Sequence, residues 1–161
     1  MLHNCSIKVG EKWREIAVSK NGLVGNHTHT LDSKNRVFFP AKFREELGSP
    51  IVITINTDKC LTAYSVSEWD NFIATLSSHS KSKTKDLKRI YCGAAQKVVP
   101  DGQGRVMIDK SLLAFAKMSD SITFVGCGDC VEMWPEDRNP LTSLSDDLLN
   151  QLSETMLELD I

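Results

Sequence analysis

Asp32-Ser-Lys-Asn-Arg-Val37 and Asp101-Gly-Gln-Gly-Arg-Val106 are two versions of one hexapeptide, and their repetition decides the fold. At the offset that carries Asp32 onto Asp101, Ile53-Thr54 falls on Ile122-Thr123. After one inserted residue, Cys60 falls on Cys130 and Tyr64 on Trp134. Self-similarity over such a span marks a duplicated supersecondary unit. The fourth position holds Asn35 in one copy and Gly104 in the other. Both residue types enter the left-handed backbone region readily. Each hexapeptide therefore reads as a tight turn in which the Asp carboxylate caps backbone amides and the Arg emerges. An Asp–Arg pair four residues apart also suits a simpler role, in which it only braces the turn.

Outward from the first hexapeptide, residues 27–31 and 37–39 are short β-like runs, and Pro40 suits the first position of a helix. A helix over 41–47 places Phe43 and Leu47 on one face and ends at Gly48. Residues 51–55 and 61–64 follow as two strands joined by the polar turn 56–59. The second unit repeats this order: strands 96–99 and 105–108, a helix capped by Asp109, then strands 121–125 and 131–134. Between the units, Ser65 and Glu68 form a capping-box pattern, and Val66, Trp69, Phe72, Ile73 and Leu76 make a helical apolar stripe. Residues 77–85 read as a polar linker, followed by a helix carrying Leu87, Ile90 and Tyr91. The chain is thus an α+β domain with internal pseudo-symmetry. Strands this short leave exposed edges, which two interleaved units would remove by closing into a barrel.

Composition narrows the function. A chain of 161 residues with 41% hydrophobic content can build a core. The run 51–55 is far short of the roughly 20 apolar residues a membrane span needs, and the first residues lack the apolar stretch of a secretory signal. A cytoplasmic protein without membrane contact is expected. Its cysteines, Cys5, Cys60, Cys92, Cys127 and Cys130, are odd in number and sit mostly among apolar neighbours, as reduced thiols do. Cys127-Gly-Asp-Cys130 has metal-ligand spacing but lacks the second ligand pair of structural zinc, and His27 and His29 read as ordinary strand residues. No metal, cofactor or small-molecule substrate is expected. No nucleophile, base and acid cluster at a recognisable spacing, which argues against an enzyme.

The net charge of −2 hides a segregation. Lys81, Lys83, Lys85, Lys88, Arg89 and Lys97 are opposed only by Asp86. At the other end, Glu136, Asp137, Asp146, Asp147, Glu154, Glu158 and Asp160 face Arg138 alone. A near-neutral chain can therefore present a basic face. Lys34, Lys42 and Arg44 are expected around the first turn, and Gln103, Lys110 and Lys117 around the second. The first turn is the more basic. Arg36 and Arg105 present two guanidinium forks, the side chain best suited to bidentate recognition of guanine or phosphate. Lys34 and Gln103 occupy matching positions, one offering charge and the other neutral hydrogen bonding.

Gly25-Asn-His-Thr-His-Thr-Leu-Asp-Ser-Lys-Asn-Arg36 and Pro40-Ala-Lys-Phe-Arg-Glu-Glu-Leu-Gly48 closely resemble the first half of MraZ proteins. So do Cys60-Leu-Thr-Ala-Tyr64, Glu68-Trp69, Gly93-Ala94-Ala95, Asp101-Gly-Gln-Gly-Arg105 and Val131-Glu-Met-Trp134. The resemblance implies duplicated AbrB-like (swapped-hairpin) units, a double-split β-barrel with flanking helices, and a ring-shaped homo-oligomer. It implies a nucleoid-associated transcription factor that binds G-rich direct repeats in double-stranded DNA upstream of the division and cell-wall gene cluster, usually as a repressor. By motif position, Arg36 and Arg105 become the leading DNA contacts, with Lys34, Asn35 and Gln103 beside them, Lys42 and Arg44 adjoining, and Asp32 and Asp101 stabilising the turns. Family first motifs usually carry glycine at the position of Asn35.

The expected organisation is an extension over 1–24, a first unit over 25–76, a linker region over 77–93, a second unit over 94–140 and an acidic amphipathic helix over 141–161. Residues 1–21 show no clear periodic pattern, and Leu23 or Val24 is expected to be the true start, encoded by an alternative start codon. Leu141, Leu144, Leu148, Leu152, Met156 and Leu159 form a helical stripe expected to pack on the barrel or on a neighbouring subunit. A rival reading is an antitoxin-like interaction module that wraps a partner protein with this acidic tail. Two motifs and a helical end favour the regulator.

Overall fold

The computed structural model describes residues 22–161 and, ahead of them, the backbone of residues 5–9 and 12–16. These last form an antiparallel pair, β1 (Cys5–Val9) and β2 (Lys12–Ile16), with Cys5 opposite Ile16. Such a two-strand ladder is held by backbone bonds, which side-chain periodicity does not report. The start-site expectation bears on residues 1–4, 10, 11 and 17–21 as well, which lie outside the described residues. Leu23 itself is buried and exchanges backbone hydrogen bonds with Gly128 at 3.1 and 2.9 Å.

The first unit comprises β3 (Asn26–Thr30), β4 (Arg36–Phe38), α1 (Ala41–Leu47) and the hairpin β5 (Ile51–Ile55) to β6 (Leu61–Tyr64). After α2 (Val66–Ser78) and α3 (Lys81–Ala94) the order repeats: β7 (Gln96–Val98), β8 (Arg105–Met107), α4 (Lys110–Ala116), β9 (Ser121–Gly126) and β10 (Val131–Pro135). Two 3-10 turns and α5 (Asp146–Glu158) end the chain.

The two units interleave. One six-stranded antiparallel sheet runs β3-β9-β10-β6-β5-β7, so the first strand of each unit pairs with the hairpin of the other. A pseudo-twofold axis passes between β6 and β10 and relates β3 to β7, β5 to β9 and the hairpins to each other. The same axis passes through a separate two-stranded ribbon in which β4 pairs antiparallel with β8. Between sheet and ribbon lies the core: Val37, Phe39, Phe43, Ile53, Leu61, Val106, Ile108, Ile122, Phe124 and Met133 are each at most 2% exposed. Ring centroids of Phe39 and Phe124 stand 4.8 Å apart, edge to face.

Consecutive Ile51, Val52, Ile53 and Thr54 are all buried, because α2 and α3 cover the side of β5 turned away from the core. Thr54 meets its burial by donating its hydroxyl to the Tyr91 carbonyl at 3.0 Å. Its pseudo-symmetric equivalent Thr123 hydrogen-bonds Thr28 at 2.9 Å.

Two local expectations are corrected, and of the two packings expected for the C-terminal stripe one is left. Residues 77–85 are not a linker: α2 continues to Ser78 and α3 begins at Lys81, with Ser65 capping α2 through the Glu68 amide. The lysines there are good helix formers, and Thr84 turns inward and is buried. Pro40 and Asp109 occupy the N-cap positions of α1 and α4 without side-chain caps. The Asp109 amide is instead taken by the Gln96 carboxamide oxygen at 3.0 Å, while the Gln96 nitrogen donates to the Met107 carbonyl. The C-terminal stripe does not pack on the sheet within one chain: Leu144, Leu152 and Met156 are each about half exposed.

Candidate nucleic-acid interface

The two hexapeptides fold into matching turns. In the first, Asp32 Oδ1 accepts the amides of Lys34 and Arg36 at 2.8 and 2.9 Å, and Asn35 takes φ 58°. In the second, Asp101 Oδ1 accepts the amides of Gln103 and Arg105, both at 2.9 Å, and Gly104 takes φ 78°. Each turn also closes through its backbone, from the Asp amide to the Arg carbonyl at 2.8 Å. The turns then lock to one another: the Ile108 amide donates to the Asn35 carbonyl at 2.9 Å, and the Phe39 amide to the Gly104 carbonyl at 3.0 Å. Neither turn is free to move without the other unit.

These bonds set the carboxylates' chemistry. Two backbone amides and the guanidinium of Arg36 hold Asp32 well below the usual carboxylate range, at about 2, the Arg36 amide contributing most. Asp101 is lowered in the same sense, again chiefly by the amide of its arginine.

The arginines do not simply emerge. Arg36 grips Asp32 Oδ2 through Nε and Nη2, each at 2.8 Å, and Arg105 grips Asp101 Oδ2 through Nε at 2.9 Å. The bracing role is therefore realised, with both arginines still partly exposed. Because β4 and β8 are antiparallel, Arg36 lies opposite Met107 and Arg105 opposite Phe38. Strand alternation sends Val37 and Val106 into the core and leaves Arg36, Phe38, Arg105 and Met107 on the ribbon's outer face. The two turns thus flank one surface, with the arginines on its diagonal.

Lys34 and Gln103 are exposed in the turns, as matching positions require. Lys42 is exposed on α1 and reaches toward the Val24 carbonyl at 3.5 Å. Lys110 opens α4, and Lys117, in the left-handed conformation, closes it. Arg44 departs from expectation. Instead of standing by the first turn, it donates Nε to the Phe39 carbonyl at 2.9 Å and lays its guanidinium over Gly104 of the second. A Cβ at Gly104 would come within 2.6 Å of the Arg44 Cζ. Interleaving brings α1 across the pseudo-twofold, which a linear reading of neighbours does not reveal. Phe38 and Met107 were likewise missed; the signal was their alternation with the two valines.

His27 stacks edge-on against Phe43 at 5.5 Å, and His29 lies between Phe38 and Phe124. Cys127 and Cys130 flank the β9–β10 turn, closed by the Cys127 amide on the Cys130 carbonyl at 2.9 Å. The Cys127 thiol donates to the Val125 carbonyl at 3.6 Å. The proximity of the two thiols lowers the pKa of Cys127 and raises that of Cys130.

Interleaved twin units that share a ribbon and two Asp–Arg turns define a duplicated mixed α/β module with an antiparallel sheet. A family model described as "MraZ protein, putative antitoxin-like" matches residues 23–90 and 91–139, one segment for each copy of the hexapeptide. A protein named transcriptional regulator MraZ from Thermoanaerobacter sp. is 38% identical over 117 residues, covering 71% of this chain and 82% of its own. Proteins of the same name from Thermoanaerobacter pseudethanolicus and Ligilactobacillus salivarius are each 34% identical, covering 86% of this chain and 99% of theirs. The chain belongs to the MraZ family of transcriptional regulators. That is not an enzyme class. No helix among the described residues is long and apolar enough to cross a membrane.

Proposed function

We propose that this chain is a sequence-specific DNA-binding regulator that represses a division and cell-wall gene cluster, its own promoter included, by binding G-rich direct repeats. The carrying observation is the β4–β8 ribbon, which holds Arg36 and Arg105 on one exposed face. The major groove of B-form DNA admits a two-stranded β-ribbon, and arginine reads guanine O6 and N7 there. Gripped by their aspartates, the two forks are aimed in advance, which lowers the entropy lost on binding. Lys34, Asn35, Gln103 and Lys42 flank them as contacts to phosphate and sugar. Arg44 acts through the second turn, which it positions.

The duplicated units, 25–76 and 94–140, build a double-split β-barrel, and several chains assemble into a nucleoid-associated ring. Linked copies on successive repeats multiply weak individual affinities. The test is a gel shift on DNA from upstream of the host's division cluster, with Arg36→Ala and Arg105→Ala beside wild type. Each variant is expected to bind more weakly; equal binding by both would remove the reading head. Binding should also fall steeply with salt, as counterion release at phosphates requires.

The exposed apolar side of α5 favours a second reading, an antitoxin-like module that holds a partner protein. Capture of a stable toxin partner through residues 141–161 would select it.

A further inference from the structure

The ribbon's outer face carries two apolar side chains that neither the core nor the arginine reading uses. Phe38 is 47% exposed and Met107 59%, although the neighbouring Phe39, Phe43 and Phe124 are all buried. Their place is set by register: Phe38 lies across from Arg105, and Met107 across from Arg36. The His29 ring stands 6.4 Å from the Phe38 ring, on one side of it. The face is therefore a four-cornered patch, with guanidinium groups on one diagonal and apolar groups on the other. The pseudo-twofold that relates the hexapeptides relates its corners.

We infer that Phe38 and Met107 read the C5-methyl groups of thymines next to the guanines taken by Arg105 and Arg36. The inference rests on the DNA-binding reading above and deepens it. In the major groove the thymine methyl is the one apolar feature that a base pair offers, and apolar side chains contact it. Opposed residues on a ribbon have Cβ atoms about 5 Å apart, a span of one to two base steps at about 3.4 Å each. One arginine and the apolar residue across from it thus address a guanine and a nearby thymine together. Asp32 and Asp101 balance the two guanidinium groups, and the exposed Lys34 leaves the face net positive, which favours polyanionic DNA over a second copy of this chain.

The test uses the full chain and the same upstream DNA, synthesised once with thymine and once with uracil, which lacks only the C5-methyl. Burying one methyl contributes about 0.8 kcal/mol, or about fourfold in affinity. Wild type should bind the uracil DNA about fourfold more weakly for each methyl read. Phe38→Ala and Met107→Ala should bind thymine DNA more weakly and discriminate less between the two, whereas Phe38→Leu should keep the discrimination and controls for folding. Equal binding of wild type to both DNAs overturns the inference, as does full discrimination by Phe38→Ala and Met107→Ala. If Arg36→Ala and Arg105→Ala lose affinity in that experiment, the DNA reading survives without the methyl contacts; if they do not, both fall. A change in oligomeric state in Phe38→Ala or Met107→Ala, with both DNAs bound equally, would assign the patch to a contact between copies and also overturn the inference.

Discussion

The two turns share a backbone and differ in what lies against it. Beneath the second, Gly104 is buried under the Arg44 guanidinium. The pseudo-symmetric equivalent of Arg44 is Leu113, which lies in the core at 5% exposure and sends no charge to the first turn. Each arginine donates Nε to its own aspartate, at 2.8 Å in the first turn and 2.9 Å in the second. Duplication has thus left one turn open, with Lys34 exposed in it, and made the other a packed joint. A repeated sequence can keep its hydrogen bonds while its copies differ in packing, one open and one covered.

The largest effect should come from crowding the joint. Gly104→Val adds a Cβ 2.6 Å from Arg44 Cζ at φ 78°, a backbone region that branched side chains resist. Left-handed strain together with loss of the Arg44 bond to the Phe39 carbonyl should cost about 3 kcal/mol, read as a lower urea midpoint at unchanged slope. Asn35→Ala, at the open turn, should cost no more than about 1 kcal/mol. Equal losses would mean that the turns are packed alike.

Next is the comparison of the readers. Arg36→Ala should weaken DNA binding by about 2 kcal/mol and Arg105→Ala by about 1, within the range for a bidentate arginine–guanine contact. The ordering follows from the exposed Lys34 of the first turn, where the second turn has the neutral Gln103. A titration in which Arg105→Ala costs more would reverse the roles assigned here.

Much of this was legible in the sequence. The hexapeptides gave the turns, and their fourth residues gave the left-handed positions now seen at Asn35 and Gly104. Element order followed from apolar runs and turn residues. Short strands with open edges pointed to interleaved units, but which strands pair across the axis could not be read. The order β3-β9 and β5-β7 joins residues from different units, and no local pattern says that α1 sends Arg44 to the second turn. The guanidinium grip on Asp32 was anticipated only as the bracing alternative, since an i to i+4 spacing across a turn does not fix a rotamer. The 77–85 segment misled because lysines and serines serve a helix surface as well as a loop.

A smaller effect isolates the joint itself. Gly104→Ala alone meets the guanidinium, but Gly104→Ala combined with Arg44→Ala does not. Unfolding of the two singles and the double should therefore show a coupling of about 1 kcal/mol, the double being less destabilised than the sum. Additivity would show that the guanidinium moves aside at no cost, and that the closeness of Arg44 to Gly104 is incidental.

The smallest expected effect is in acid, because both aspartates are more than a third exposed at the side chain or close to it, where solvent weakens their interactions. A carboxylate whose folded value is depressed adds stability above its unfolded value and loses it as pH falls through the folded one. For Asp32 that window runs from about 4 down to about 2. Below it the carboxyl is protonated in both states and its contribution is gone. Asp32→Asn should flatten the decline of stability between pH 5 and pH 2. Asp101→Asn should flatten it less, since Asp101 is exposed whereas Asp32 is half-buried, and solvent weakens the exposed pair more. Urea unfolding at a series of pH values reads both slopes, and a larger change in Asp101→Asn would place the tighter ion pair at the second turn.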